Sequence, residues 1–221
     1  MNLAESLDEL EKALQQVVAA ARSDDKTPLG NALALGEAAL KLESEGKLEV
    51  VVFGDLNAFK GLNRDYGHQA GDAALFYVGE MIQKLVVEKC QAQAFRRSGD
   101  EFVILLSLQG LEDFKKLAFQ FKECSFEYED QPLKTAMSFG YAVGSDEDDF
   151  LTLQKKADAA CQQAKAKGDG ICEAWTSELD EGITDAGRRQ CVKCKATIDY
   201  SVPKSNWAGK LISCPCCGNL F

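Results

Sequence analysis

Between two stretches of helical period lies the run Leu48-Glu49-Val50-Val51-Val52-Phe53, β-branched and of strand length, which stops at Gly54-Asp55. A chain that changes period here must build a sheet as well as helices, since β-branched residues are stiff in a helix and suit a pleated surface. The strand signal recurs. Ala92 to Arg97 and Glu101 to Leu106 flank a Ser98-Gly99-Asp100 turn and read as a hairpin, and Lys134 to Val143 alternates like a strand.

Helical patterns separate these strands. Leu29 to Glu45 is closed by Gly46, and Gly71 to Glu88 carries Leu75, Val78, Ile82 and Leu85 on one face. Residues 111–123 and 149–167 are amphipathic. Strands alternating with helices predict an α+β (α/β-like) domain with a central, mostly antiparallel sheet flanked by helices. Ahead of it, residues 3–20 read as a helix. Leu3, Leu7, Leu10, Leu14 and Val17 follow alternating four- and three-residue steps, which is an a/d seam. The seam suits either a coiled coil with a second chain or packing on its own domain; under three heptads is short for a self-sufficient coiled coil. Ser23-Asp24-Asp25-Lys26-Thr27-Pro28 then breaks the pattern. The expected division is an N-terminal helix (1–24), the main domain (25–176), a polar linker (177–188) and a cysteine-rich module (189–221).

Hydrophobic residues make up 46% and charged residues 27%, a globular profile. No apolar run is long enough to span a bilayer, and Met1-Asn2-Leu3-Ala4-Glu5 lacks a basic leader, so a cytoplasmic protein without membrane attachment is expected. A net charge of -10 argues against coating nucleic acid, which depends on neutralising phosphates. Of the nine cysteines, Cys90, Cys124, Cys161 and Cys172 are scattered through periodic segments and read as core fillers.

Asp55 at a strand end and Asp100 with Glu101 in a hairpin turn converge if the two strands are neighbours. Such acids suit divalent cations, which take one or two carboxylates together with phosphate oxygens. The same acids, taken alone, also serve as solvated turn formers.

The intervening sequence adds a resemblance. Gly54-Asp55-Leu56-Asn57-Ala58-Phe59-Lys60, Asn63, Gly67-His68-Gln69-Ala70-Gly71-Asp72 and Arg96-Arg97-Ser98-Gly99-Asp100-Glu101-Phe102 occur in order. Ala136-Met137-Ser138-Phe139-Gly140-Tyr141-Ala142 follows, then Ala157-Asp158 through Ala164-Lys165 with Gly168; Thr27-Pro28-Leu29-Gly30-Asn31 precedes them all. This set resembles the GGDEF family of diguanylate cyclases over roughly residues 24–175. The resemblance implies that Asp55, Asp100 and the Leu56 carbonyl hold Mg²⁺ or Mn²⁺, and that Glu101 helps activate a 3′-hydroxyl or sits beside the metals. It implies that Asn63 and Asp72 read guanine, while the Phe59 and Lys60 peptides with the Lys60 and Lys165 ammonium groups face phosphates. It further implies a homodimer in which each chain holds one GTP. His68 falls in the Gly-His of the pattern and reads as a residue steadying the loop by hydrogen bonding.

Four departures matter. Ser98 replaces the first glycine of the turn, at a cost on the order of 1 kcal/mol if it needs a positive φ. Asn57 replaces the second aspartate of the strand motif. Asp169 stands where the family has a phosphate-binding arginine. Lys89-Cys90-Gln91-Ala92 stands where an Arg-x-x-Asp inhibitory site would end, so product feedback is not expected.

The other five cysteines crowd into the last 31 residues. Cys191-Val192-Lys193-Cys194 and Cys214-Pro215-Cys216-Cys217 are separated by 19 residues. Four thiolates from two such knuckles form a closed tetrahedral site for structural Zn²⁺, with Cys191, Cys194, Cys214 and Cys217 as ligands and Cys216 spare. Redox pairing is the competing reading. A zinc ribbon there would stabilise the terminus or contact a protein partner.

The sequence thus predicts a diguanylate cyclase condensing two GTP into cyclic di-GMP and pyrophosphate. The alternative is a weak or inactive GGDEF-like module that binds GTP or cyclic di-GMP and signals through the ribbon.

Overall fold

β1 (Val50–Asn57) is the centre of the sheet, with Val50, Val51 and Val52 each 0% exposed. The computed structural model describes residues 3–145, 147–177, 184–190 and 197–203. They fall into two units, Met1–Trp175 and Thr176–Phe221.

In the first unit, α1 (Leu3–Arg22) leads through a short loop to α2 (Ala32–Ser44). α2 starts later than its apolar period suggests because the Asn31 side chain accepts hydrogen bonds from the Leu33 and Ala34 amides and caps it. After β1 come α3 (Phe59–Tyr66) and α4 (His68–Ile82), the latter prolonged by a π turn (Gln83–Val87) and the short α5 (Glu88–Cys90). The hairpin β2 (Gln93–Ser98) and β3 (Glu101–Leu106) follows. Then come α6 (Leu108–Ala118) with a 3₁₀ turn (Phe119–Lys122), β4 (Cys124–Tyr128), β5 (Gln131–Val143), α7 (Phe150–Lys167) and β6 (Cys172–Ala174).

The strand order is β2-β3-β1-β5-β4, all antiparallel, with β6 parallel to β5. Alternate residues of β1 feed two cores. Val50, Val52 and Leu56 join Leu75, Val78, Ile82, Phe114, Phe121 and Phe139 on the side of α4 and α6. Val51 and Phe53 join Leu35, Ala39, Leu153, Ala157 and Cys161 on the side of α2 and α7. Burial of each such side chain contributes about 1.5–3 kcal/mol, so β1 cannot slip by one residue without exchanging its two faces.

α7 lies on β5 at Gly140, where an added Cβ would come 2.1 Å from the Cys161 amide nitrogen and 2.2 Å from the Ala157 carbonyl oxygen. The scattered cysteines are core residues as expected for Cys90, Cys124 and Cys161; Cys172 is half-buried. Burial pushes the Cys161 and Cys172 thiols up to about 12, so both stay protonated at neutral pH.

On α1, Leu7, Leu10, Leu14 and Val17 are 57–66% exposed, so the seam is not covered by its own domain. Among the described residues no helix is long and apolar enough to cross a membrane.

In the second unit β7 (Thr184–Gln190) pairs antiparallel with β8 (Thr197–Pro203), so a strand begins inside the stretch read as a linker. Cys191, Cys194, Cys214 and Cys217 lie outside the described residues.

Candidate functional site

The end of β1 brings the motif residues together. Asp55 faces Glu101 across the β1–β3 ladder and Ser138 across the β1–β5 ladder. The hairpin turn is closed at Gly99, whose φ of +50° is easy for glycine. Ser98 is not among the positive-φ residues, so the strain expected there does not arise. The Leu56 amide donates to the Asp100 carbonyl (3.2 Å), which ties the turn to β1.

The Lys165 ammonium, from the last turn of α7, donates to the Asp55 carboxylate and to the Leu56 carbonyl (3.2 Å). These are two of the three groups expected to hold a cation, and a cation lies on them. Burial raises the Asp55 carboxyl above its ordinary value; Lys165 opposes this, while the Asp100 and Glu101 charges push it further up.

Glu101 points elsewhere: its Oε2 accepts from Arg97 (2.7 Å) and from the Ser98 hydroxyl (2.8 Å). Among the described residues no three carboxylate, histidine or cysteine side chains are gathered closely enough to hold a metal by themselves. Asp55 stands opposite Glu101 in the ladder, but the Glu101 carboxylate is turned to Arg97. Two carboxylates and a carbonyl still suit Mg²⁺, which retains waters and takes phosphate oxygens to fill its octahedron.

Beside these acids, Ala58 adopts the left-handed conformation (φ +56°) and turns the chain into α3, whose start has no side-chain cap. A non-glycine residue there costs on the order of 1 kcal/mol. The Phe59 and Lys60 amides at this open N-terminus are donors suited to an anion. Lys60 is exposed, and Phe59 packs against the core.

Asn63 approaches Gly71, the residue before Asp72, where α3 packs on α4. A Cβ on Gly71 would lie 2.0 Å from Asn63 Oδ1, so only glycine admits this approach. Asn63 Oδ1 is buried without a partner among the described residues, and such an atom calls for a donor. Asp72 is bonded to Lys26 at 2.5 Å. His68 is exposed at the start of α4, and its side chain makes no hydrogen bond among the described residues, contrary to the role expected for it. Asn57 and Asp169, two departures distant in sequence, are hydrogen-bonded to each other.

Sequence reasoning missed Lys26, Arg96 and Asp24. Arg96 donates to both Asp24 carboxylate oxygens (3.2 and 3.1 Å) and to the Gly99 carbonyl (2.9 Å), linking the loop after α1 to the hairpin turn. Asp24 and Arg96 are 72 residues apart, and no periodic signal connects them.

The model of the family described as Diguanylate cyclase, GGDEF domain, matches residues 21–170, and the chain belongs to that family. It is 36% identical over 125 residues to the signaling protein YkoW of Bacillus subtilis (strain 168), covering 53% of this chain and 15% of the relative. It is 32% identical over 162 residues to the diguanylate cyclase DgcP of Pseudomonas aeruginosa, covering 67% of this chain and 23% of that one. The chain therefore spans under a quarter of the length of these two relatives. Among solved structures, the coiled coil and GGDEF domain of DgcB from Caulobacter crescentus, in complex with c-di-GMP, shares the fold with a TM-score of 0.65 at 22% identity. That match covers 77% of this chain and 94% of the other. The GGDEF domain of TpbB, or YfiN, from Pseudomonas aeruginosa gives 0.61 at 26% identity, covering 72% and 96%.

Proposed function

We propose that this chain is a diguanylate cyclase acting in the cytoplasm, and that two copies condense two GTP into cyclic di-GMP and release two pyrophosphates. The observation that carries this reading is the placing of Asp55, Asp100 and the Leu56 carbonyl at one end of β1, with the Lys165 cation already on two of them.

The Phe59 and Lys60 amides and the Lys60 ammonium receive the phosphates, and Asn63 and Asp72 hold guanine. In each half-reaction the 3′-oxygen of one GTP bonds to the α-phosphorus of the other while the bond to the pyrophosphate oxygen breaks. Glu101 accepts the 3′-hydroxyl proton after leaving Arg97. Asp55, Asp100 and the Leu56 carbonyl would hold Mg²⁺ or Mn²⁺, which supplies positive charge at the leaving pyrophosphate. Each chain brings one GTP, so a second copy is required, and the exposed α1 seam is the surface for it. Cys191, Cys194, Cys214 and Cys217 bind a structural Zn²⁺ that folds the terminal module, which contacts a protein partner.

A second reading has its own support. Asp169 places an acid, held by Asn57, next to the phosphate end, and this favours a module that binds nucleotide weakly without turnover. Incubating the full chain at high concentration with GTP and Mg²⁺ and separating the products decides between them. Cyclic di-GMP is the expected product, lost in Asp100→Asn; its absence from the wild type sinks the enzyme reading.

A further inference from the structure

The ion pair between Lys26 and Asp72 has no role in the site as described so far. Its distance is 2.5 Å, and the side chains are 37% and 45% exposed. Pairs this open to water contribute little to stability, so stability does not account for it.

The backbone that carries Lys26 is held firmly. The Lys26 amide donates to Asp24 Oδ1 (3.1 Å), as does the Thr27 hydroxyl (2.9 Å). Asp24 is itself fixed by Arg96, and both side chains are about 90% buried. Thr27 and Pro28 seat against Gly79 of α4, where an added Cβ would meet Thr27 Cβ at 2.8 Å and Pro28 Cδ at 3.0 Å. Gly79 is seven residues, two helical turns, beyond Asp72 on the same face. The loop is therefore docked along α4 in the register that sets Lys26 over Asp72.

We infer that Lys26 is a specificity-determining residue that reads the O6 carbonyl of guanine beside Asp72. The inference rests on the guanine-nucleotide reading above. Asp72, as a carboxylate, only accepts, and complements the adjacent N1 and N2 donors of guanine. O6 neighbours N1, so a donor bonded to one Asp72 oxygen meets O6 when the carboxylate faces the N1–N2 edge. An ammonium only donates, and lysine pairs well with guanine O6. Adenine carries an amino group in place of O6 and would set two donors against each other. A carboxylate has lone pairs enough to hold the ammonium and the base together.

Binding of GTP, ITP and ATP to the full chain, by displacement of a fluorescent guanine nucleotide, tests this in the wild type, Lys26→Met, Lys26→Arg and Asp72→Asn. ITP keeps O6 and lacks the N2 amino group. Lys26→Met is expected to weaken GTP and ITP by the same factor, roughly tenfold, with ATP unchanged or improved. Lys26→Arg retains most of the affinity, and Asp72→Asn weakens GTP more than ITP. Unchanged or tighter GTP binding in Lys26→Met overturns the inference, as does an equal loss for ATP, which would mark a general effect of charge or folding. A wild type that binds no guanine nucleotide overturns the guanine reading as well.

Discussion

Asn57 donates a hydrogen bond to the Asp169 carboxylate across 112 residues of sequence, so two departures from the family pattern meet as one contact. Asn57 lies two residues beyond Asp55 on β1, and Asp169 follows the end of α7 that carries Lys165. The acid is anchored at the rim of the site. Asp169→Asn removes its charge and is expected to tighten GTP binding severalfold, an effect that shrinks as salt rises. Fluorescence titration at two ionic strengths checks it. A double-mutant cycle with Asn57→Ala is expected to show a coupling on the order of 0.5–1 kcal/mol.

Lys165 occupies two of the three groups proposed to hold a divalent cation, the Asp55 carboxylate and the Leu56 carbonyl. Without nucleotide, Lys165→Met is expected to bind Mn²⁺ several times more tightly than the wild type, because a competing positive charge is gone. With GTP the order reverses, since the ammonium is lost from the phosphates. Free Mn²⁺ measured by electron paramagnetic resonance reads both; equal affinities without nucleotide contradict the competition.

The uncovered seam on α1 predicts self-association. Leu7→Glu with Leu14→Glu puts charges on a surface exposed in the single chain, so the domain keeps its melting temperature while sedimentation shows loss of dimer. Cyclic di-GMP formation falls with it, most steeply at low protein concentration.

Gly140 is the contact on which α7 rests. Gly140→Ala drives a methyl into the Cys161 and Ala157 backbone and is expected to cost about 3 kcal/mol in urea unfolding. Gly36→Ala, where no atom lies within 4 Å of the added carbon, is the control and raises helix propensity.

Asp148 gives the fold an acid-sensitive contact. Its carboxyl is held below the ordinary value, first by the Lys156 hydrogen bond (2.6 Å) against the opposing effect of burial, with the Ser145 hydroxyl and amide adding to the lowering. A carboxyl lowered by folding adds stability above its unfolded value and loses it as pH falls through the folded one. Asp148→Asn is thus expected to lower the melting temperature near neutrality, and the two proteins converge in strong acid.

Elements with a clear period were legible in advance. β1, the β2–β3 hairpin, β5 and α7 fall within a few residues of where patterning places them, because each buries a face whose spacing survives in the sequence. β4 was missed. It reaches β5 through Glu129 and Asp130, both with positive φ, and no glycine or asparagine marks that turn. α3 is eight residues long, too short to show a helical period beside its motif residues.

The site divides in the same way. The order of acids, amides and glycines along the chain was enough to reveal the family, since local geometry and chemical type travel with the sequence. Which partner each charged group takes was decided only in three dimensions. Lys165 on Asp55, Glu101 on Arg97, Lys26 on Asp72 and Asn57 on Asp169 are chosen by strand register and helix docking. Long-range polar pairing leaves no periodic trace, because it depends on where the packed apolar faces bring the chain.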